Sequence, residues 1–135
     1  MAEPNPGLPQ EAVPALPHIL VDPAGDHALT GIRCGSCGNV VEGERLACPA
    51  CGARDSLESV HLARLGRIAA HTVVHRSLPG VEVPFVSVVV DLDGGGAVRG
   101  KLTGVDPLSD LTGEQRVEMV FRDTGQRDRS GKPFL

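Results

Sequence analysis

Tryptophan and tyrosine are absent from this 135-residue chain, and phenylalanine occurs only three times. A core with so few rings must be aliphatic, with valine dominant. The same scarcity removes the stacking platforms on which single-stranded nucleic acid is held. Basic residues are not in excess either: Lys plus Arg is 13 against 17 Asp plus Glu, a formal charge of −4. No positive field is available to attract a phosphate backbone, so a nucleic-acid-binding module is the weaker alternative and no nucleic-acid partner is expected. No apolar run approaches the ~18 residues of a membrane span. The opening Met1-Ala2-Glu3-Pro4 lacks the basic segment and apolar stretch of a secretory signal. The expectation is a cytoplasmic chain without a membrane partner.

Breakers, by contrast, are plentiful: 17 Gly and 11 Pro exclude a helix bundle. Charge and proline are also unevenly spread. Glu3, Glu11, Asp22 and Asp26 are the only charged side chains before Arg33, so the net negative charge resides in the first 32 residues and the remainder balances. Pro4, Pro6, Pro9, Pro14, Pro17 and Pro23 lie in the same stretch. Repeated fixation of φ and loss of backbone donors oppose both helix and central strand there. Residues 1–28 read as an extended Pro-rich arm, either solvated or docked on a partner through Leu16, Ile19, Leu20 and Val21.

The four cysteines fall into two pairs, Cys34-x2-Cys37 and Cys48-x2-Cys51, each followed by a glycine, Gly38 or Gly52. A glycine there lets the backbone turn so that its amides face the sulfurs. In a reducing compartment such pairs hold a metal or do redox work more often than they form disulfides. Four thiolates suit one tetrahedral ion, and the expectation is one structural zinc per chain held by Cys34, Cys37, Cys48 and Cys51, with a redox dithiol or an iron site as alternatives. A catalytic zinc is disfavoured, because four protein ligands leave no open position. This places a small four-cysteine zinc ribbon at residues 29–56.

Beyond the ribbon the hydrophobic period becomes two. Strands are expected near Leu57–Leu62, over Arg67–His75, over Phe85–Leu92 with Val86, Val88, Val90 and Leu92 on one face, over Ala97–Leu102, and over Val117–Phe121. Ser77-Leu78-Pro79-Gly80 supplies a turn, Gly94-Gly95-Gly96 a hairpin, and Asp106-Pro107 a loop or single helical turn. Five short, glycine-rich strands fit a Greek-key OB-fold barrel over residues 57–135 better than a sandwich. The fold class is thus mainly β.

The run HTVVHRSLPGVEVPFVSVVVDLD, then GKLTGVDP, then Gly113, Val117, Glu118, Val120 and Phe121, all behind paired CxxC knuckles, resembles the DUF35 family over residues 31–134. The resemblance implies a rubredoxin-like zinc ribbon joined to an OB-fold. It also implies a small non-catalytic subunit of a thiolase-fold enzyme acting on acyl-CoA esters, in an α2β2-type hetero-oligomer. Such partners include a benzoylsuccinyl-CoA thiolase of aromatic degradation, a retro-aldolase of steroid side-chain breakdown and archaeal assemblies making hydroxymethylglutaryl-CoA. Thiolytic cleavage is the first expectation and retro-aldol cleavage the second. The chain departs from the pattern in its arm, which has no aromatic residue, and in its ending at Gly131-Lys132-Pro133-Phe134-Leu135 where relatives often continue with an aromatic tail.

No catalytic residue is expected in the chain itself. No nucleophile elbow or phosphate-cradling glycine loop is present, and metal-bound cysteines are not free nucleophiles. His71 and His75, four residues apart on one strand, would lie ~13 Å apart and cannot chelate one ion. Arg99 and Lys101 share a strand face, and Arg64, Arg67 and Arg76 flank the first barrel strand, so a coenzyme A phosphate would find cationic partners. The apolar, donor-poor loop of Leu78, Pro79, Gly80, Val81, Val83 and Pro84 is expected either to fold over its own barrel or to enter a neighbour's groove. His75, Arg76, Leu78, Pro79, Val81, Arg99 and Lys101 are the expected CoA- or partner-facing set.

Overall fold

The computed structural model describes residues 12–22, 26–106, 111, 115–126, 128–130 and 132. Residues 1–11 of the arm, Pro23, Pro107, Gly113 and Phe134 lie outside the described residues. The chain runs through β1 (Ile19–Leu20), β2 (Ala28–Cys34), β3 (Val40–Glu42), β4 (Leu57–His61), β5 (Leu65–Val74), β6 (Phe85–Leu92), β7 (Ala97–Leu102) and β8 (Arg116–Glu118). Among the described residues there is no helix, as the density of Gly and Pro requires.

Two antiparallel sheets carry the fold. In the first, β2 is central, with β1 on its leading half and β3 and β4 on its flanks. In the second the order is β7-β6-β5-β8, the curled sheet of the OB-like barrel. The strand expected near Leu57–Leu62 forms as β4, but its partner is β2, in a register from Thr30↔His61 to Cys34↔Leu57. The barrel sheet therefore holds four strands among the described residues. Leu62 and Val60 nonetheless pack into the barrel core, so β4 hydrogen-bonds with the ribbon while its apolar side chains serve the barrel.

Alternation on β6 decides the core. Val86, Val88, Val90 and Leu92 are all buried, and they join Ile68, Val98, Leu62 and Val40 in one aliphatic cluster dominated by valine. Val40 belongs to β3, so the ribbon contributes to the same core, and the Gly94–Gly96 hairpin between β6 and β7 lies against it: a Cβ on Gly95 would come within 3.0 Å of Val40 Cγ2. The strand expected at Arg67–His75 runs instead from Leu65 to Val74, with a bulge between Ile68 and Ala70. His75 thus lies past the strand end, while His71 sits in register with Val88 and, across β6, Gly100. The last strand stops at Glu118, short of the expected Phe121, though Phe121 itself is buried.

The ribbon sheet tolerates no side chain at Gly31. A Cβ there would overlap the Val41 carbonyl oxygen of β3, the antiparallel neighbour of β2. Gly31→Ala is expected to lower stability by about 1–3 kcal/mol, read as an earlier denaturant midpoint at unchanged slope. An unchanged midpoint would mean that β3 moves aside freely.

Candidate metal centre and partner-facing surface

The two knuckles are built alike. After Cys34 and Cys48 the chain turns so that the Gly38 amide donates to the Cys34 carbonyl and the Gly52 amide to the Cys48 carbonyl, each at 2.8 Å, with both glycines at φ +79°. That left-handed backbone is the conformation for which glycine stands at these two positions. The β2–β3 and β2–β4 ladders then bring the knuckles face to face, and the four Sγ atoms all lie within 4.8 Å of one another.

The close pairs cross between knuckles: Cys34 Sγ to Cys51 Sγ and Cys37 Sγ to Cys48 Sγ are each 3.6 Å. A zinc ion with Zn–S bonds of ~2.3 Å at the centre of a regular tetrahedron sets sulfurs ~3.8 Å apart, so the cluster has the size the ion needs. A redox CxxC pair would instead juxtapose the two cysteines of one knuckle. No disulfide is formed, all four thiols being free.

The electrostatics divide the thiols into inner and outer pairs. Backbone hydrogen bonds, first from Cys37 and then from Ser36, outweigh burial and hold the Cys34 thiol down at about 6. Cys48 is lowered likewise, chiefly by the Cys51 amide. For Cys37 the largest influence, the Asn39 amide, is acid-strengthening, yet Cys48, burial and the other two thiols together push it up to about 12. Cys51 is raised despite the Ala53 amide, by Cys34, burial and Cys48. Each lowered thiol thus faces a raised one, with protons neutralising crowded sulfur charge. A divalent ion would do the same for all four, and the donor set suits a thiophilic metal.

Away from the metal centre, the expected partner-facing residues are exposed; those of the β5–β6 connection and Lys101 lie at one end of the barrel, with Arg99 further along β7 at mid-sheet. His75, Arg76, Leu78, Pro79 and Val81 occupy the β5–β6 connection, where Leu78 is 77% exposed and Val81 and Val83 are also exposed. The loop stands out from the barrel and is not folded over it. Its base is the Val74↔Phe85 pair, and Lys101 Nζ lies 5.3 Å from the Phe85 ring centroid. Arg99 and Lys101 do share a face: Lys101 is in register with Ser87, which pairs with Thr72, and Arg99 with Val89, which pairs with Ala70 on β5. The ion pairs among the described residues, His18–Glu42, Arg64–Asp26 and Arg116–Asp93, leave out Arg76, Arg99 and Lys101. A patch with apolar centre and cationic edge results.

Arg64 does not join that patch. Its Nη2 donates to the His27 carbonyl at 2.5 Å and to Asp26 Oδ1 at 3.2 Å, and its side chain is 13% exposed, so it fastens the arm to the barrel and is not open to a coenzyme phosphate. Arg67 pairs across the sheet with Asp91 at the far end. A cleft of about 470 Å³ opens between the arm, through Leu16, His18 and Ile19, and the barrel edge formed by β7 and the β8 region. Leu102, Val117 and Met119 lie along it.

Residues 59–122 match the family model described as ChsH2, C-terminal OB-fold domain. A curated relative, the DUF35 domain-containing scaffold protein of Methanothermobacter thermautotrophicus, is 33% identical over 105 residues, covering 76% of this chain and 78% of that protein. The chain belongs to the DUF35 family. A solved structure of an Ltp2-ChsH2(DUF35) aldolase superimposes with a TM-score of 0.61 at 25% identity, over 79% of this DUF35 protein and 82% of that chain.

Several residues that organise the DUF35 chain carry no signal in its sequence. His27 is 1% exposed, meets Phe121 edge-on at 6.0 Å, and takes the Asp22 amide on Nδ1 at 2.9 Å. Arg116 forms a two-pronged bridge to Asp93 at 2.7 and 2.5 Å, tying β8 to the end of β6. His18 Nε2 pairs with Glu42 on β3. The arm residues Ile19 and Leu20, read as solvated or partner-bound, pair with Leu29 and Ala28 of the same chain. Every one of these contacts joins segments distant in sequence or across a turn, and no local periodicity encodes it.

Proposed function

We propose that this DUF35 protein is a non-catalytic accessory subunit of a thiolase-fold enzyme that cleaves carbon–carbon bonds in acyl-CoA esters. The reading is carried by one observation: the chain resembles, over about four-fifths of its length, the subunit of an Ltp2-ChsH2(DUF35) aldolase. The relative named a scaffold protein supports the same role. Retro-aldol cleavage is favoured by that aldolase, and thiolytic cleavage, the first expectation from sequence, is the second reading. The ribbon holds one structural zinc, since four thiolate ligands leave no site for water or substrate. In this reading His75, Arg76, Leu78, Pro79, Val81, Arg99 and Lys101 face the partner, and the cations among them meet acidic groups of the partner or the coenzyme phosphates at the interface.

The subunit's contribution is geometric. An apolar loop set into a neighbour's groove excludes water and orients a bound thioester, while proton transfer and bond cleavage stay with the partner. Co-purification from the native host, followed by assays for retro-aldol and thiolytic cleavage with and without this chain, tests the proposal. Turnover of an acyl-CoA by the isolated chain would refute it, and salt-dependent oligonucleotide binding would favour a nucleic-acid module instead.

The double variant Arg99→Glu, Lys101→Glu is expected to weaken the complex at least about tenfold, which is about 1.4 kcal/mol. Zinc content and thermal midpoint should stay as in the wild type. Undiminished affinity, measured by titration calorimetry, would remove these two residues from the interface.

A further inference from the structure

Among the described residues His27 is the one polar side chain in the buried set, and its two ring nitrogens are unequally served. Nδ1 accepts the Asp22 amide at 2.9 Å, which ties the chain after β1 to the residue before β2. The neutral ring must then carry its proton on Nε2, which is buried and has no hydrogen-bond partner among the described residues. Beside the ring, Arg64 ties the His27 carbonyl and Asp26 to the start of β5, and its guanidinium lies 6.0 Å from the centroid of the Phe121 ring, against which His27 also packs. Three segments therefore meet at one imidazole: the arm, the leading end of β2 and the barrel.

Elsewhere among the described residues the arm is attached by backbone pairing, with Val13 as an isolated bridge residue, and by His18 and Thr30, whose Oγ1 also donates to the His18 carbonyl at 3.2 Å. Two residue pairs form the β1–β2 ladder, the Thr30 amide donates to the His18 carbonyl at 2.8 Å, and His18 reaches Glu42. Through Leu16, His18 and Ile19 the arm supplies one wall of the cleft beside β7 and β8. Loss of the Asp22–His27 bond would loosen the tie between that wall and the start of β2.

We propose that His27 is an acid-sensitive clasp that holds the arm against the barrel and thereby closes one side of the cleft. A second proton on the ring would sit on Nδ1, where the Asp22 amide already points its own hydrogen, so the Asp22–His27 bond cannot survive it. The new charge would also be buried beside the Arg64 cation, an arrangement a protein avoids by opening. Asp22 and Asp26 are the anions facing this ring and they soften the penalty, while from the barrel side the charged neighbour is Arg64. Burial, the largest influence, together with Arg64 holds the folded-state basicity of His27 below its ordinary value. The folded state therefore binds fewer protons than the open one. The clasp is at full strength above the unfolded pKa of ~6.5 and weakens as pH falls below it.

The test uses the full-length, zinc-loaded chain and hydrogen exchange of residues 12–30, corrected for the intrinsic dependence of exchange on pH, between pH 7.5 and 5.0. Wild-type protection at Ile19 and Thr30 is expected to fall at least about tenfold across this range, while Cys34 and Gly38 keep theirs and zinc stays bound. His27→Asn leaves an acceptor near the Nδ1 position and cannot be protonated, so its arm should stay protected throughout. His27→Gln serves as a second neutral replacement should the asparagine variant fold poorly. Equal loss in the neutral variants, no loss in the wild type, or simultaneous loss of ribbon protection and zinc would each overturn the clasp. Because the readout needs no partner, its failure leaves the accessory-subunit reading standing.

Discussion

Cys48→Ser is expected to release the metal and unfold the ribbon. Metal analysis should give one zinc per wild-type chain and none for the variant, and the amides of Cys34, Gly38, Cys48 and Gly52 should lose their dispersed resonances. The magnitude follows from what else holds this module. Its buried apolar residues are few, Ile32, Val40 and the two inner cysteines, so hydrophobic burial alone cannot order residues 29–56. Zinc at such a site supplies on the order of 10 kcal/mol or more at neutral pH, comparable to the whole stability of a small domain. Removing one of four thiolates leaves the ion an open position, and a serine oxygen is a poor substitute for a soft sulfur. The barrel should weaken as well, because Val40 of β3 lies in its core, yet the β5–β6 ladder should survive. Full zinc occupancy in Cys48→Ser would show that the cluster is not the binding site, and the alternative of a redox pair would return.

The second large effect is expected at Ile68. It is 2% exposed, the largest fully buried side chain among the described residues, and sits one residue before the β5 bulge, where the barrel begins to curl. Truncation to alanine removes three carbons from a cluster of valines and leucines that cannot collapse around the gap without moving β6. A loss of about 2–5 kcal/mol is expected, measured by denaturant unfolding. Zinc stoichiometry should stay at one, since no ligand lies near β5 in the ladders. Cys48→Ser and Ile68→Ala together then separate the two modules: the first empties the ribbon and the second loosens the barrel. A cost below about 1 kcal/mol would mean that Ile68 is not the keystone its burial implies.

The features that were legible in the sequence are those governed by local chemistry. The CxxC pairs with their following glycines announced the knuckles, because a turn that aims amides at sulfur needs a left-handed residue at one fixed offset. The period of two through Val86, Val88, Val90 and Leu92 announced β6 and its buried face, and Gly94-Gly95-Gly96 announced the hairpin after it. The scarcity of aromatic residues announced an aliphatic core. The exposed loop around Leu78 was located as well, with its orientation open.

Pairing and closure were not legible. Leu57–His61 has the same local character whether it joins the barrel or the ribbon, and only the approach of β2 decides for the ribbon. The proline-rich arm looked unstructured because its residues oppose regular structure locally, yet Ile19 and Leu20 need only two partners on β2 to become strand. His27 drew no reading from the sequence and Arg64 read as a cation for a coenzyme phosphate, yet together they became the junction of three segments. Composition, spacing and period determined which elements exist and which four cysteines could hold a metal, since those depend on neighbours a few residues away. Which strand pairs with which, and which charge is buried, depend on contacts between residues far apart in the chain, and those come into being only when the chain has folded.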